Sequence, residues 1–218
     1  MDKISELLQG KLEQGREFRD MQMRALEDDQ DQMVVEGYAT TFNQPYTLWE
    51  EPGYKVIEQI DARAFDDCDM SDVIMQYDHE GRVFARNSNK TLICRPDDFG
   101  LNVRAILGGT DIGRQLYQEI RGGYTTKMSF AFVVAEDRRE IEENRETGDV
   151  TIIRTITKIS KLYDVSAVSL PANPATTIAA RSYGEGVIAE VKAERQRAAE
   201  ESIAKRKAIA RIRIRAAQ

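Results

Sequence analysis

The chain has 218 residues, of which 41% are hydrophobic and 31% are charged, and its formal net charge is −6. This length allows one medium-sized domain with appendages or two small domains, and the hydrophobic share is enough for a buried core. No apolar run approaches the roughly 20 residues of a membrane-spanning helix, and the first residues lack the basic-then-apolar order of a signal peptide. We therefore expect the chain to fold in a cytosol or inside an assembly formed there, with no membrane partner.

Cysteine and histidine are scarce in this chain. Cys68 and Cys94 are the two cysteines, and His79 is the single histidine. Two cysteines are too few for a disulfide framework, so both are predicted to be reduced thiols. The absence of a CxxC or HxxxH spacing argues against a zinc site. No metal or other cofactor is expected, and any imidazole chemistry must involve His79.

The N-terminal 30 residues are predicted to form a loose amphipathic helix, with Ile4, Leu7, Leu8 and Leu12 on one side. The acidic run at 27–31 is predicted to be a solvated linker.

Beyond this linker the hydrophobic period changes to that of β-strands. Asp61 is predicted to cap a short helix that extends through Phe65. Residues Pro96 to Gly100 are predicted to connect the two strands of a hairpin. Residues Glu136 to Asp149 are predicted to form a mobile acidic loop. The predicted strands are 34–42, 54–60, 73–77, 91–95, 101–107, 125–135, 150–159 and 164–170.

Two helices are predicted after the first strands. The first begins at a cap on Thr110 or Asp111 and ends at Gly122-Gly123. The second is a long exposed helix from Gly186 onward, and residues 202–218 carry six bases and no acid. Such a basic end is typical of a segment that binds nucleic acid or an acidic protein surface, but it is equally consistent with a solvated helix.

The predicted fold class is α+β. A mostly antiparallel β-barrel core with packed helices is expected over residues 33–182. A helical arm and acidic linker (1–32) and a basic helical tail (183–218) are expected to flank it.

Three polar residues in these strands have the chemistry of a serine protease: His79, Ser129 and Asp164. Histidine accepts the proton of a serine hydroxyl near neutral pH. Strand alternation puts Ser129 and Ala131 on the same face of their strand. Because both residues are small, this face is expected to form a shallow groove that suits an extended peptide. Asp164 lies within an apolar strand, where a buried acid needs a partner such as histidine. From spacing alone, an ordinary solvent-facing strand serine and a surface histidine remain alternatives.

The motifs over roughly residues 33–182 resemble the prohead (capsid maturation) proteases of tailed bacteriophages, which are similar to the herpesvirus assemblin class of serine proteases. The most specific motif is the last strand followed by Pro171-Ala172-Asn173-Pro174. The chain differs from the family at Asp164, where glutamate is usual. The other matching segments are Glu36-Gly37-Tyr38-Ala39 with Phe42-Asn43, Tyr77-Asp78-His79, Gly100-Leu101 and Lys127-Met128-Ser129-Phe130-Ala131-Phe132.

The resemblance implies a serine endopeptidase with Ser129 as nucleophile, His79 as general base and acid, and Asp164 as orienting acid. It also implies action inside the procapsid in the host cytoplasm, on the scaffolding segment of the major capsid protein and on the protease itself. The turn from Pro171 to Thr176 is the expected source of oxyanion donors. A homodimer is left open.

Two other functions remain as alternatives. Charged helical arms are typical of a non-catalytic scaffolding or shell-associated protein that keeps this fold. A nucleic-acid binder would act through residues 205–215, although nucleic acid is not the expected partner.

Overall fold

The computed structural model describes residues 15–26, 32–169 and 174–216, and the side chains of these residues except 20, 174–179 and 213–216. The helices within these ranges are α1 (Asp111–Arg121), α2 (Pro174–Ala216) and a single 3₁₀ turn (Asn87–Asn89). The strands are β1 (Arg16–Ala25), β2 (Val34–Thr41), β3 (Tyr46–Glu51), β4 (Tyr54–Ile60), β5 (Ile74–Tyr77), β6 (Glu80–Arg86), β7 (Leu92–Pro96), β8 (Gly100–Ile106), β9 (Lys127–Glu143) and β10 (Val150–Val168).

The strands form one mixed sheet in the order β3-β4-β10-β9-β1-β2-β8-β7, and β5 pairs with β10 and β6. Strands β4 and β5 run parallel to β10, whereas the other pairs are antiparallel. The α+β class agrees with the prediction, but the barrel is not confirmed. Closure requires the two edge strands to pair, and in the described part of the chain β3 pairs only with β4 and β7 only with β8.

The helix predicted for residues 1–30 is wrong at residues 16–25, which form strand β1 between β9 and β2. Residues 1–14 and 27–30 of that prediction, and the whole linker predicted at 27–31, lie outside the described residues. The chain passes so close to β2 that a side chain at Gly37 would approach the Gln22 carbonyl oxygen to 2.7 Å. Tertiary pairing thus decides the conformation of a segment whose own helical preference is weak.

Strands β9 and β10 form a long antiparallel hairpin, which extends further than predicted. The loop expected at 136–149 is wrong over 136–143, where β9 continues. The strands predicted at 150–159 and 164–170 are one element, β10. Residues 62–67 form turns instead of the short helix that Asp61 was expected to cap, and strands β3 and β6 were not predicted.

The hydrophobic core lies on one face of this sheet and is closed by helix α1. The rings of Phe130 and Phe132 stack at 4.6 Å between centroids, and Leu116 and Ile120 of α1 are buried in the same cluster. The Thr110 hydroxyl accepts a hydrogen bond from the Gly113 amide and caps the helix, as the sequence predicts.

A buried network of charged residues ties β1 to β4 and β10 on the core face. The guanidinium of Arg19 donates to both carboxylate oxygens of Glu58 at 2.5 and 2.7 Å. Arg154 donates to Glu58 at 2.8 Å and to Glu17 at 2.7 and 2.8 Å. Burial alone would lower the pKa of Arg19, but the nearby charges, of which Glu58 has the largest effect, raise it well above its usual value.

Removal of the Glu58 charge is expected to destabilise the fold strongly. The Glu58 side chain is 0% exposed and joins two arginines, so Glu58→Gln breaks two buried ion pairs and leaves only Glu17 and Asp137 to compensate the arginines. A loss of about 3–5 kcal/mol in the free energy of unfolding is expected, measured by urea denaturation. Glu50→Gln is the matched control, because Glu50 is exposed and 4.0 Å from Lys55, and its change should stay within about 0.5 kcal/mol. Equal losses in the two variants would contradict a stabilising role for the network.

The chain divides into two compact units, residues 1–181 and 182–218. The long helix predicted from Gly186 onward is confirmed, although α2 begins earlier, at Pro174, and Val187, Ile188 and Val191 are buried instead of exposed. Its residues from Lys192 to Ile212 are exposed. Within the described ranges, none of the helices has the length and apolarity needed to cross a membrane.

Candidate active site

His79 lies in the tight turn that joins β5 to β6. Tyr77 pairs with Glu80, and the two residues between them, Asp78 and His79, have positive φ angles of 50° and 61°. Two-residue turns of this kind favour glycine, asparagine or aspartate, so a histidine here stores backbone strain of the sort found at functional sites. The turn is anchored because the Asp78 amide donates to the Ala167 carbonyl at 2.8 Å.

Asp78 is engaged away from the histidine. Its carboxylate accepts hydrogen bonds from the Ser169 amide at 3.0 Å and the Ser169 hydroxyl at 2.9 Å. These bonds attach the turn to the residue that follows β10.

Asp164 reaches the histidine because β10 is irregular at this point. Leu162 pairs with Phe132 but Asp164 pairs with Ala131, so the ladder shifts by one residue between them. Such bulges redirect side chains next to active sites. Here the shift leaves Leu162 and Val165 in the core and turns Asp164 to the opposite face of the sheet.

His79 and Asp164 form a buried pair. His79 Nδ1 lies 2.5 Å from Asp164 Oδ1, and their exposed fractions are 1% and 3%. The Ser166 hydroxyl donates to the same carboxylate oxygen at 2.7 Å. These bonds compensate the burial of the carboxylate, and they fix the neutral ring with its proton on Nδ1, which leaves Nε2 as the acceptor nitrogen.

Ser129 lies on β9 and shares a sheet face with Asp164. Ser129 pairs with Ser166 of β10. Two residues further along β9, on the same face, Ala131 pairs with Asp164 of β10 on one side and with Phe18 of β1 on the other. The ring of His79 packs edge-on against Phe18 at 4.8 Å between centroids, so the three predicted site residues lie on one face. Ser129 is 0% exposed, and its hydroxyl has no hydrogen-bond partner among the described residues. A buried, unbonded hydroxyl is costly to the fold.

A groove of about 580 Å³ adjoins the His79–Asp164 pair. Its walls come from β1, β5, β6 and β10, and both members of the pair line it. The other lining residues are Arg16, Asp72, Ile74, Gln76, Glu80, Gly81, Arg86, Lys161 and Tyr163.

Sequence reasoning missed two neighbours of the pair, Ser166 and Phe18. Ser166 had a visible signal, since strand alternation puts it on the face of Asp164. Phe18 had none, because its segment was expected to be helical. Of the turn from Pro171 to Thr176 that was expected to supply oxyanion donors, residues 171–173 lie outside the described residues, and residues 174–176 are the start of helix α2.

The two cysteines are free and half-buried. Burial raises the pKa of Cys68 to about 11 and that of Cys94 to about 12. Both side chains are therefore neutral thiols near pH 7 and are poor nucleophiles.

Alkylation of the cysteines is expected to be slow in the folded protein. At pH 7.5 the native protein should react with iodoacetamide at least about 100-fold more slowly than a free thiol, because so little thiolate is present. Mass spectrometry of native and urea-unfolded protein measures this, since both cysteines should react in urea. Labelling of Cys94 in the native protein as fast as in urea would contradict its raised pKa.

Comparison with known proteins matches most of the chain to a family. The model of the caudovirus prohead serine protease matches residues 19–187, a range that includes His79, Ser129 and Asp164. No curated protein and no solved structure matches the chain.

Proposed function

Because the chain belongs to the caudovirus prohead serine protease family, we propose that it is a serine endopeptidase that matures the phage capsid inside the procapsid, in the host cytoplasm. Its substrates are the scaffolding segment of the major capsid protein and the protease chain itself. Cleavage reduces both to fragments that leave the shell.

We assign the chemistry to Ser129, His79 and Asp164. Ser129 Oγ attacks the scissile carbonyl carbon while His79 Nε2 takes the hydroxyl proton. The same proton then passes to the leaving amine, and the peptide's N-terminal part stays bound to Ser129 as an ester. Water, deprotonated by His79, hydrolyses the ester and restores the serine. Asp164 stabilises the imidazolium that forms in both steps and holds its Nδ1–H.

The observation that carries this assignment is the 2.5 Å contact between His79 and Asp164 on the sheet face that also holds Ser129. A buried carboxylate that fixes an imidazole suits a general base. The unbonded hydroxyl of Ser129 supports the role of nucleophile, because a serine kept for structure would satisfy its hydroxyl.

Co-expression with the neighbouring capsid gene product tests the proposal. Intact-mass measurement should find defined fragments of the capsid protein and of the protease. Ser129→Ala should leave both proteins full length, whereas Ser88→Ala, on the exposed 3₁₀ turn, should process both normally. Full-length capsid protein in the presence of the unmutated protease would contradict the proposal and favour a non-catalytic scaffolding protein.

A further inference from the structure

The groove beside the histidine contains a cation that the proposed mechanism does not use. Arg16, at the start of β1, lines the groove together with His79 and Asp164. Its guanidinium carbon lies 3.7 Å from the centroid of the Tyr163 ring. This stacking holds the planar group in a fixed orientation and leaves its edge available for hydrogen bonds.

Arg16 differs from the other cations of the groove in having no carboxylate partner among the residues that the structure describes. Arg86 donates to Asp72 at 2.7 and 2.5 Å, and Lys161 donates to Asp69 at 2.9 Å. For Arg16, no hydrogen bond or ion pair is found within the described ranges, and its Nε is buried. A buried donor without an acceptor is unfavourable unless a ligand supplies one.

The position of Arg16 suits contact with a substrate chain. Arg16 pairs with Val133 on β9, four residues from Ser129, which is about 13 Å at the rise of a strand. An extended peptide held at Ser129 covers that distance in about four residues. Its ligand should carry a planar anion, because the guanidinium fork matches a carboxylate bidentately.

We propose that Arg16 determines specificity by binding the carboxylate of a glutamate or aspartate in the substrate, within about four residues of the scissile bond. This inference rests on the proposed function, since it presumes a peptide held for cleavage at Ser129. The acidic side chain would bond to the Arg16 fork over Tyr163, and the rest of the peptide would extend along the groove towards His79.

The test uses peptides that span the capsid cleavage site mapped in the co-expression experiment. Each of the four positions on either side of the bond carries Glu, Gln or Lys in turn, and kcat/KM is measured for the full-length protein. At one position Glu should be preferred over Gln by about 10- to 100-fold, the range of a charge-assisted pair. Arg16→Gln should remove that preference, so that the kcat/KM values of the Glu and Gln peptides come within about twofold of each other.

Two further variants and a control complete the design. Arg16→Lys should keep part of the preference, since an ammonium supplies charge without the fork, and Arg16→Glu should favour the Lys peptide. Arg104→Gln, on the exposed face of β8, should behave as the unmutated protein. Two outcomes would overturn the role of Arg16 and leave the protease assignment standing. In the first, cleavage depends on Ser129 but shows no preference for an acidic residue. In the second, the preference persists in Arg16→Gln. Absence of any Ser129-dependent cleavage would overturn both.

Discussion

Replacement of either Ser129 or His79 by alanine is expected to abolish cleavage, with a fall in kcat of about 10⁶-fold. The two groups act as one unit, because the hydroxyl is a weak nucleophile until the imidazole takes its proton. The double variant should therefore be no less active than either single one. Turnover of a peptide spanning the mapped site is the measurement, and residual activity in His79→Ala well above that of Ser129→Ala would contradict the pairing.

The stability of these variants should separate chemistry from folding. The Ser129 hydroxyl is buried without a partner among the described residues, so Ser129→Ala should keep or raise the melting temperature while activity is lost. His79→Ala should destabilise, because it leaves the buried Asp164 carboxylate without its ring N–H. His79→Gln offers a hydrogen bond to Asp164 but no general base, and it should therefore be folded and inactive. An active His79→Gln protein would remove histidine from the mechanism.

Asp164→Asn is expected to lower kcat by about 10⁴-fold, as in other triads where the acid is replaced by its amide. The amide can donate to Nδ1, which reverses the tautomer and leaves Nε2 protonated and unable to accept the serine proton. Asp164→Glu should retain activity, because it keeps the carboxylate that holds the ring N–H and borders the groove.

Ser166→Ala is the matched control for this position. It removes one hydrogen bond to Asp164 but keeps the carboxylate and its 2.5 Å contact with His79, so its effect on kcat should be far smaller than that of Asp164→Asn. The readout is kcat for the same peptide. Near-normal turnover in Asp164→Asn would make Asp164 a structural residue and the enzyme a dyad of Ser129 and His79.

Local patterns predicted the elements whose signals are contained within a few residues. Strand β4 and helix α1 follow directly from alternation, from the 3.6-residue period and from the cap at Thr110. The candidate site residues could also be predicted from the sequence. The chain offers a single histidine as a candidate general base, and the surrounding motifs resemble those of a protease family. Their roles remain proposals that the predictions above test.

Strand β1 shows why local patterns were not enough. Its segment is rich in charged residues, and the helix expected there rested on one apolar side formed by residues that precede the strand: Ile4, Leu7, Leu8 and Leu12. In the fold, Arg19 is neutralised by Glu58, 39 residues away, and Glu17 by Arg154, 137 residues away. Charges become compatible with burial only when distant partners compensate them, and no local window contains that information.

The open sheet and the site geometry depend on the same kind of distant pairing. Strand β4 pairs in parallel with β10, which is far from it in the chain. The bulge before Asp164 arises from the register of β10 against β9. His79 contacts Asp164, which lies 85 residues further along the chain. The sequence by itself determined which side chains were available and where short-range periodicity places helices and strands. Only the tertiary structure decided which faces are buried, because strand register and compensation of buried charge are properties of contacts between distant segments.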